Sequence, residues 1–215
     1  TIDGEARSAI RLLGKESLHL VADDDRVALR RIEILVSRKS QTQLVLKAEE
    51  DLDTGSTYRL DRNRLKSNDS QVLPFGAGAS GKPLRWRAGP PDSRAPNLRS
   101  VTKTESKRVG YAGRPAAYMM LRPSIPDDNF EELIFRVVLT QKVNSDLKQT
   151  DLIHPAMEQV YWIRPNDESE LRVGHGMCGG EFDLEQGASY EVKLQAIDKA
   201  GNQSPVSDPL EVVGP

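Results

Sequence analysis

The chain predicts an all-β fold, two Greek-key β-sandwich domains in series, and three observations carry that expectation. Apolar and polar residues alternate with the two-residue period of half-buried strands, most clearly where Tyr190, Val192, Leu194 and Ala196 take one phase and Glu191, Lys193 and Gln195 the other. A pattern L-x-x-G-x-x-Y precedes two such runs, as Leu52, Gly55 and Tyr58 and again as Leu184, Gly187 and Tyr190; their separation of about 130 residues is what a duplicated unit leaves behind. Between the copies, Gly89 to Pro96 holds three prolines, which forbid a helix, cannot sit in a central strand and stiffen the path, so this stretch reads as a linker. No stretch shows the 3.6-residue period of a long amphipathic helix.

The elements follow in order. Thr1 to Glu16 reads as an incoming strand, and Ser17 to Ala22 as the next. Asp23, Asp24 and Asp25 repel one another along an edge and suit a loop. Val27 to Val36 and Gln43 to Ala48 are strands three and four. After Tyr58 the alternation runs to Leu60, gives way to the polar stretch Asp61 to Ser70, and resumes at Val72, Leu73 and Phe75. Leu84 and Trp86, alternating with Arg85 and Arg87, close the first domain. In the second, Asn97 to Thr104, Ala116 to Leu121 and Leu133 to Gln141 are strands, the last with Phe135, Val137 and Leu139 on one face. Val160 and Trp162 mark another. The Tyr190 strand meets Asp198 to Asn202, where Gly201 and Asn202 tolerate positive φ and Asp198 caps its own backbone, so the chain returns as Gln203 to Val213.

The segment Phe182 to Pro209, with its A-x-D-x-A-G-N-x-S ending at Ser204, resembles the last two strands of a bacterial fibronectin type III module. L-x-x-G-x-x-Y resembles the tyrosine corner of immunoglobulin-like and fibronectin type III sandwiches, in which the phenol bonds back to upstream backbone. Asp92-Ser93-x-Ala95-Pro96 resembles the start of such modules. The match is close over Phe182 to Pro209 and holds only in outline over the stretch before it. It implies an immunoglobulin-like sandwich over residues 1–91 and a fibronectin type III-like one over 92–215, with Leu52, Tyr58, Leu184 and Tyr190 as structural corners. It further implies an exported bacterial protein in the periplasm, on the outer surface or secreted, lipid-anchored in one form through a removed N-terminus. Its modules would act as spacers, adhesive units or scaffolds, with another protein or a cell-surface polymer as partner.

Composition narrows the chemistry. Thirty Lys plus Arg against thirty-two Asp plus Glu give a net charge of -2, so no global field favours nucleic acid. The longest apolar run, Leu133 to Leu139, is broken by Arg136 and falls far below the ~18 residues of a spanning helix. One cysteine, Cys178, excludes an internal disulfide framework. Thr1 opens without methionine or apolar leader, so an export signal is expected to have been removed. Basic residues gather at Arg26, Arg30 and Arg31, and at Arg85, Arg87, Arg94 and Arg99; the second group is the candidate surface for an anionic ligand, around an expected inter-domain cleft.

Catalytic signals are sparse. His175 and Cys178 stand in a glycine-rich run at H-x-x-C spacing, which suits two metal ligands or a nucleophile and its base; no second half-site accompanies them, and an incidental loop thiol is expected. Asp23 to Asp25 and Asp127 to Asn129 offer oxygens to calcium but lack the spacing of a calcium hand. Trp86 and Trp162 are expected as buried anchors; exposed, they would be platforms for a sugar ring. The expectation is a non-catalytic structural or interaction protein without metal or cofactor, with a carbohydrate-binding accessory pair as the alternative and an enzyme built on the His175/Cys178 loop behind it.

Overall fold

A computed structural model describes residues 2–4, 18–23, 25–36, 42–61, 85–111, 114–126, 130–142, 157–176 and 179–215. The fold is all-β, every paired strand is antiparallel, and among the described residues the one helical element is a short 3-10 turn, Phe130–Glu132. The chain divides into two compact units, with the boundary between Asp92 and Ser93.

The first unit contains β1 (Ile2–Gly4), β2 (Leu18–Ala22), β3 (Asp25–Val36), β4 (Thr42–Ala48), β5 (Thr57–Leu60) and β6 (Arg85–Arg87), joined in one sheet in the order β1-β4-β3-β2-β5-β6. A facing second sheet has no strand among the described residues, and the segment with Val72, Leu73 and Phe75 lies outside them. One face of the sheet is apolar: Leu18, Leu44 and Leu60 cluster with Leu29, Ile34 and Leu46, and Ala22, Val27 and Tyr58 with Leu20, Ala48, Leu52 and Ala88. The alternation produces this directly, because successive side chains of a strand point to opposite faces. The loop expected over the three acids is shorter, and Asp24 lies outside the described residues. Asp23, at φ 44, is the turn, and Asp25 already pairs with Ala22 as the first residue of β3.

The second unit contains β7 (Ser100–Tyr111), β8 (Arg114–Ser124), β9 (Ile134–Gln141), β10 (Glu158–Ile163), β11 (Leu171–Gly176), β12 (Gly179–Gly180), β13 (Ser189–Ile197) and β14 (Leu210–Val213). They form two four-stranded sheets, β10-β9-β13-β14 and β12-β11-β8-β7. Each sheet buries one face: Phe135, Val137 and Leu139 of β9 with Tyr190, Val192, Leu194 and Ala196 of β13 on one, Met119 and Leu121 of β8 with Leu171 and Val173 of β11 on the other. Tyr161 meets Phe182 edge to face, ring centroids 6.4 Å apart, an arrangement that sets positive ring edge against negative ring face.

Two expectations need correction. The returning strand is not Gln203 to Val213, since only Leu210–Val213 is regular and Gln203 makes a single bridge to Ile197. Pro205 and Pro209 cannot donate to a ladder, and serine hydroxyls fill in for it. Ser204 Oγ accepts from Ala196 N–H at 2.9 Å and Ser207 Oγ from Leu194 N–H at 3.0 Å, while the two serine amides donate back to those residues' carbonyls. The first hairpin of this unit is also longer than expected, because β7 and β8 stay paired from Ser100↔Ser124 to Tyr111↔Arg114 through polar residues that carry no apolar signal.

Candidate functional site

The best-built local structure occurs twice. In the first unit Gly55 N–H donates to Ala88 O at 2.9 Å, Ala88 N–H to Ser56 O at 2.9 Å, Ser56 N–H to Asp53 O at 3.1 Å, and Asp53 N–H to the Tyr58 hydroxyl at 3.0 Å. In the second, Gly187 N–H donates to Gly214 O at 3.1 Å, Gly214 N–H to Ala188 O at 2.8 Å, Ala188 N–H to Glu185 O at 3.3 Å, and Glu185 N–H to the Tyr190 hydroxyl at 2.7 Å. Bond for bond these are one motif. A tight turn with glycine at positive φ, 88° at Gly55 and 74° at Gly187, leads into a strand whose first tyrosine reaches back to the amide five residues upstream. The residue after the last strand of the unit closes the ring. Leu52 packs beside Tyr58, and Leu184 is buried.

The duplication extends to strand order. In the first unit β3, β2, β5 and β6 are neighbours in sequence of pairing as β10, β9, β13 and β14 are in the second, with β5 and β13 carrying the tyrosines. Tyr58 stands opposite Trp86, and Tyr190 opposite Val212.

The Tyr58 hydroxyl also donates to Asp25 Oδ2 at 2.5 Å, so the first clasp carries one bond that pattern reading missed. That bond and burial hold the phenol above its ordinary range, since a phenolate would face a carboxylate. The unfolded chain ionises Tyr58 near pH ~10 and the folded one higher, so this contribution is whole below that value and is lost as pH rises through the folded pKa. Denaturant titrations of the full chain between about pH 9 and 12 should therefore show a steeper alkaline loss of stability for the wild type than for Tyr58→Phe.

The four arginines of the expected anionic-ligand surface divide between the units. Arg85 and Arg87 are exposed on β6 of the first, whereas Arg94 and Arg99 are exposed in the second, Arg99 giving its amide to Ser124 O at 2.9 Å. Trp162 is buried, as a core anchor. Trp86 is not: it is 45% exposed, on a strand that has one neighbour among the described strands.

Of the histidines, His19 lies on β2 and His175 on β11, while His154 and Cys178 lie outside the described residues. No group of three or more His, Cys, Asp or Glu is placed to hold a metal ion among the described residues. Asp25 serves Tyr58, Asp127 to Asn129 lie outside the described residues, and Asp198 accepts from Asn202 N–H at 2.9 Å. A buried carboxylate, Glu170, is satisfied by Thr104 Oγ1 at 2.7 Å and the Arg122 guanidinium at 2.8 Å, which marks it as a brace between β7, β8 and the start of β11. A shallow depression between Lys103, Lys142 and Glu211 is floored by Tyr190; Glu211 pairs with Lys142 and holds its ammonium above the ordinary lysine range.

No family model matches the chain, and no curated protein matches it. Among solved structures it is similar to that of a DUF3823 family protein from Bacteroides ovatus ATCC 8483, at 8% identity and a TM-score of 0.16, covering 93% of this chain and 89% of that one.

Proposed function

We propose that the chain is a pair of β-sandwich modules, immunoglobulin-like over residues 1–91 and fibronectin type III-like over 92–215, that serves without catalysis as a structural or protein-interaction element of an exported bacterial protein. The carrying observation is the doubled clasp, a device that fixes a module's closing strands and leaves its loops and edges free for contact. The strand distribution supports the second assignment. Its first, second and fifth strands (β7, β8, β11), with the two-residue β12, share one sheet and its third, fourth, seventh and eighth (β9, β10, β13, β14) the other, as in a Greek-key sandwich of this kind. In the first unit the same four-strand core, β3-β2-β5-β6, is extended by β4 and β1.

Strand addition is the simplest binding mode such modules have, and β6 and β14 end their sheets among the described strands. The extracytoplasmic assignment rests on the resemblance to bacterial exported modules. Fractionation of cells carrying the native gene with a C-terminal tag tests it: the reading requires the protein in the envelope or medium, accessible to protease added to intact cells or spheroplasts, and a cytosolic, protected protein would refute it. A second reading, a carbohydrate-binding accessory pair, is favoured by one observation, the exposed Trp86 on an end strand.

A further inference from the structure

We infer that the polar face of the first sheet is a binding surface for an anionic polysaccharide, with Arg59, Arg85 and Arg87 at its centre. This deepens the carbohydrate reading by naming the charge of the glycan, and rests on that reading for the sugar alone.

Register places the residues. Across β6, β5, β2 and β3 one row reads Arg85, Arg59, Val21, Arg26, and the adjacent row begins Arg87, Thr57. All four arginines are exposed, on the face opposite Tyr58, Leu60 and Val27. Directly paired residues on a sheet face carry their Cβ atoms about 5 Å apart and diagonal ones about 7 Å, so the Cβ atoms of Arg59, Arg85 and Arg87 form a tight triangle and their guanidinium groups can reach one ligand. Farther along the face Arg30 stands opposite Lys47, a second like-charged pair.

Such pairings cost stability in an isolated sheet, because like charges set directly opposite repel. Asp61 pairs with Arg26 at 3.5 Å, and among the described residues Arg59, Arg85 and Arg87 have no acidic partner. A local conflict of this kind is the mark of a functional surface. Arginine in place of lysine offers a planar fork that grips carboxylate or sulfate with two parallel bonds.

A flat face with cations spaced at about 5 to 7 Å suits a polymer with charges at regular intervals better than one small anion. Trp86 adds the sugar. By register it projects to the opposite face, beside Tyr58, so a chain that wraps the edge of β6 from the arginine face meets the half-exposed indole. Hydrophobic ring faces of sugars stack on such a platform, whereas polyphosphate has no ring to place there.

Titrations of the full chain with polygalacturonate and dextran sulfate, against neutral dextran, polyphosphate and a DNA duplex, test the inference. The wild type should bind both anionic glycans with an affinity that falls steeply as salt rises. Arg59→Gln/Arg85→Gln/Arg87→Gln should weaken that binding at least about tenfold, with melting temperature unchanged or raised as repulsion is relieved. Arg85→Gln alone, which breaks the central pair on an end strand, should weaken it in the same direction, and Lys107→Gln on β7 should leave it unchanged. Trp86→Ala should weaken glycan binding selectively. Unchanged binding in the arginine variants would overturn the surface. Polyphosphate and DNA binding as well as the glycans, indifferent to Trp86→Ala, would overturn the polysaccharide. Binding of neutral dextran alone would overturn the charge and leave the carbohydrate reading standing.

Discussion

Replacing Gly174 by alanine is expected to lower the melting temperature of the second unit by about 10 °C or more, the cost of roughly 3 kcal/mol or above in a unit of this size. Gly174 sits in β11 opposite Tyr118 of β8 at φ +137°, a conformation that L side chains rarely adopt. A Cβ there would lie 2.2 Å from Ala117 O and 2.6 Å from Tyr118 Cα. Both are backbone atoms, held by the β8 ladder on one side and by the β7 hairpin on the other, so neither yields cheaply. The effect should separate cleanly from that of Gly110→Ala. Gly110 has open space around it and no positive φ, and its substitution should be close to neutral. Thermal denaturation of both variants followed by circular dichroism decides the matter; equal melting temperatures would mean that β11 does not approach β8 as described.

Gly214→Ala is the second large effect, and it bears on the clasp. A Cβ at Gly214 would lie 2.2 Å from Glu185 O and 3.2 Å from Tyr190 Cε2, inside the ring of bonds that joins the last strand to the corner. The first unit places Ala88 at the matching position, where it packs with Tyr58 and Leu52, so the two clasps differ in how closely their closing segment approaches the turn. We expect Gly214→Ala to cost about 2 to 3 kcal/mol, less than Gly174→Ala because Gly214 has no positive φ to strain. Gly187→Ala, at positive φ with nothing near its Cβ, should cost only about 1 kcal/mol. That order, Gly214 above Gly187, is the signature of a steric closure; the reverse order would assign the cost to backbone conformation and remove Gly214 from the clasp.

The alternation around β9 and β13 was legible because one face of each is buried and the other wet, so the period of two appears undisturbed in Phe135 to Leu139 and Tyr190 to Ala196. The clasps were legible for a related reason. Leucine, glycine and tyrosine each meet a separate physical demand at fixed spacing: packing, positive φ and a reach of five residues back to an amide.

What lay beyond the sequence depends on neighbours in space. Nothing local marks Asp25 as the acceptor of the Tyr58 hydroxyl 33 residues away, or Ala88 and Gly214 as closing residues. The basic face escaped because its cations lie on four strands, and Arg59 was passed over although it follows Tyr58 directly and a hairpin register would have set it opposite Arg85. Trp86 was misplaced because alternation cannot tell an end strand from an inner one. Arg85 and Arg87 belong to the first unit and Arg94 and Arg99 to the second.

The central claim is that each unit is closed by its own tyrosine-to-amide bond, and amide hydrogen exchange at Asp53 and Glu185 tests it most directly. The account requires both amides to be protected in the wild type, Tyr58→Phe to deprotect Asp53 and leave Glu185 slow, and Tyr190→Phe to do the reverse. Either amide exchanging at open-loop rates in the wild type, or one substitution releasing both, would contradict it.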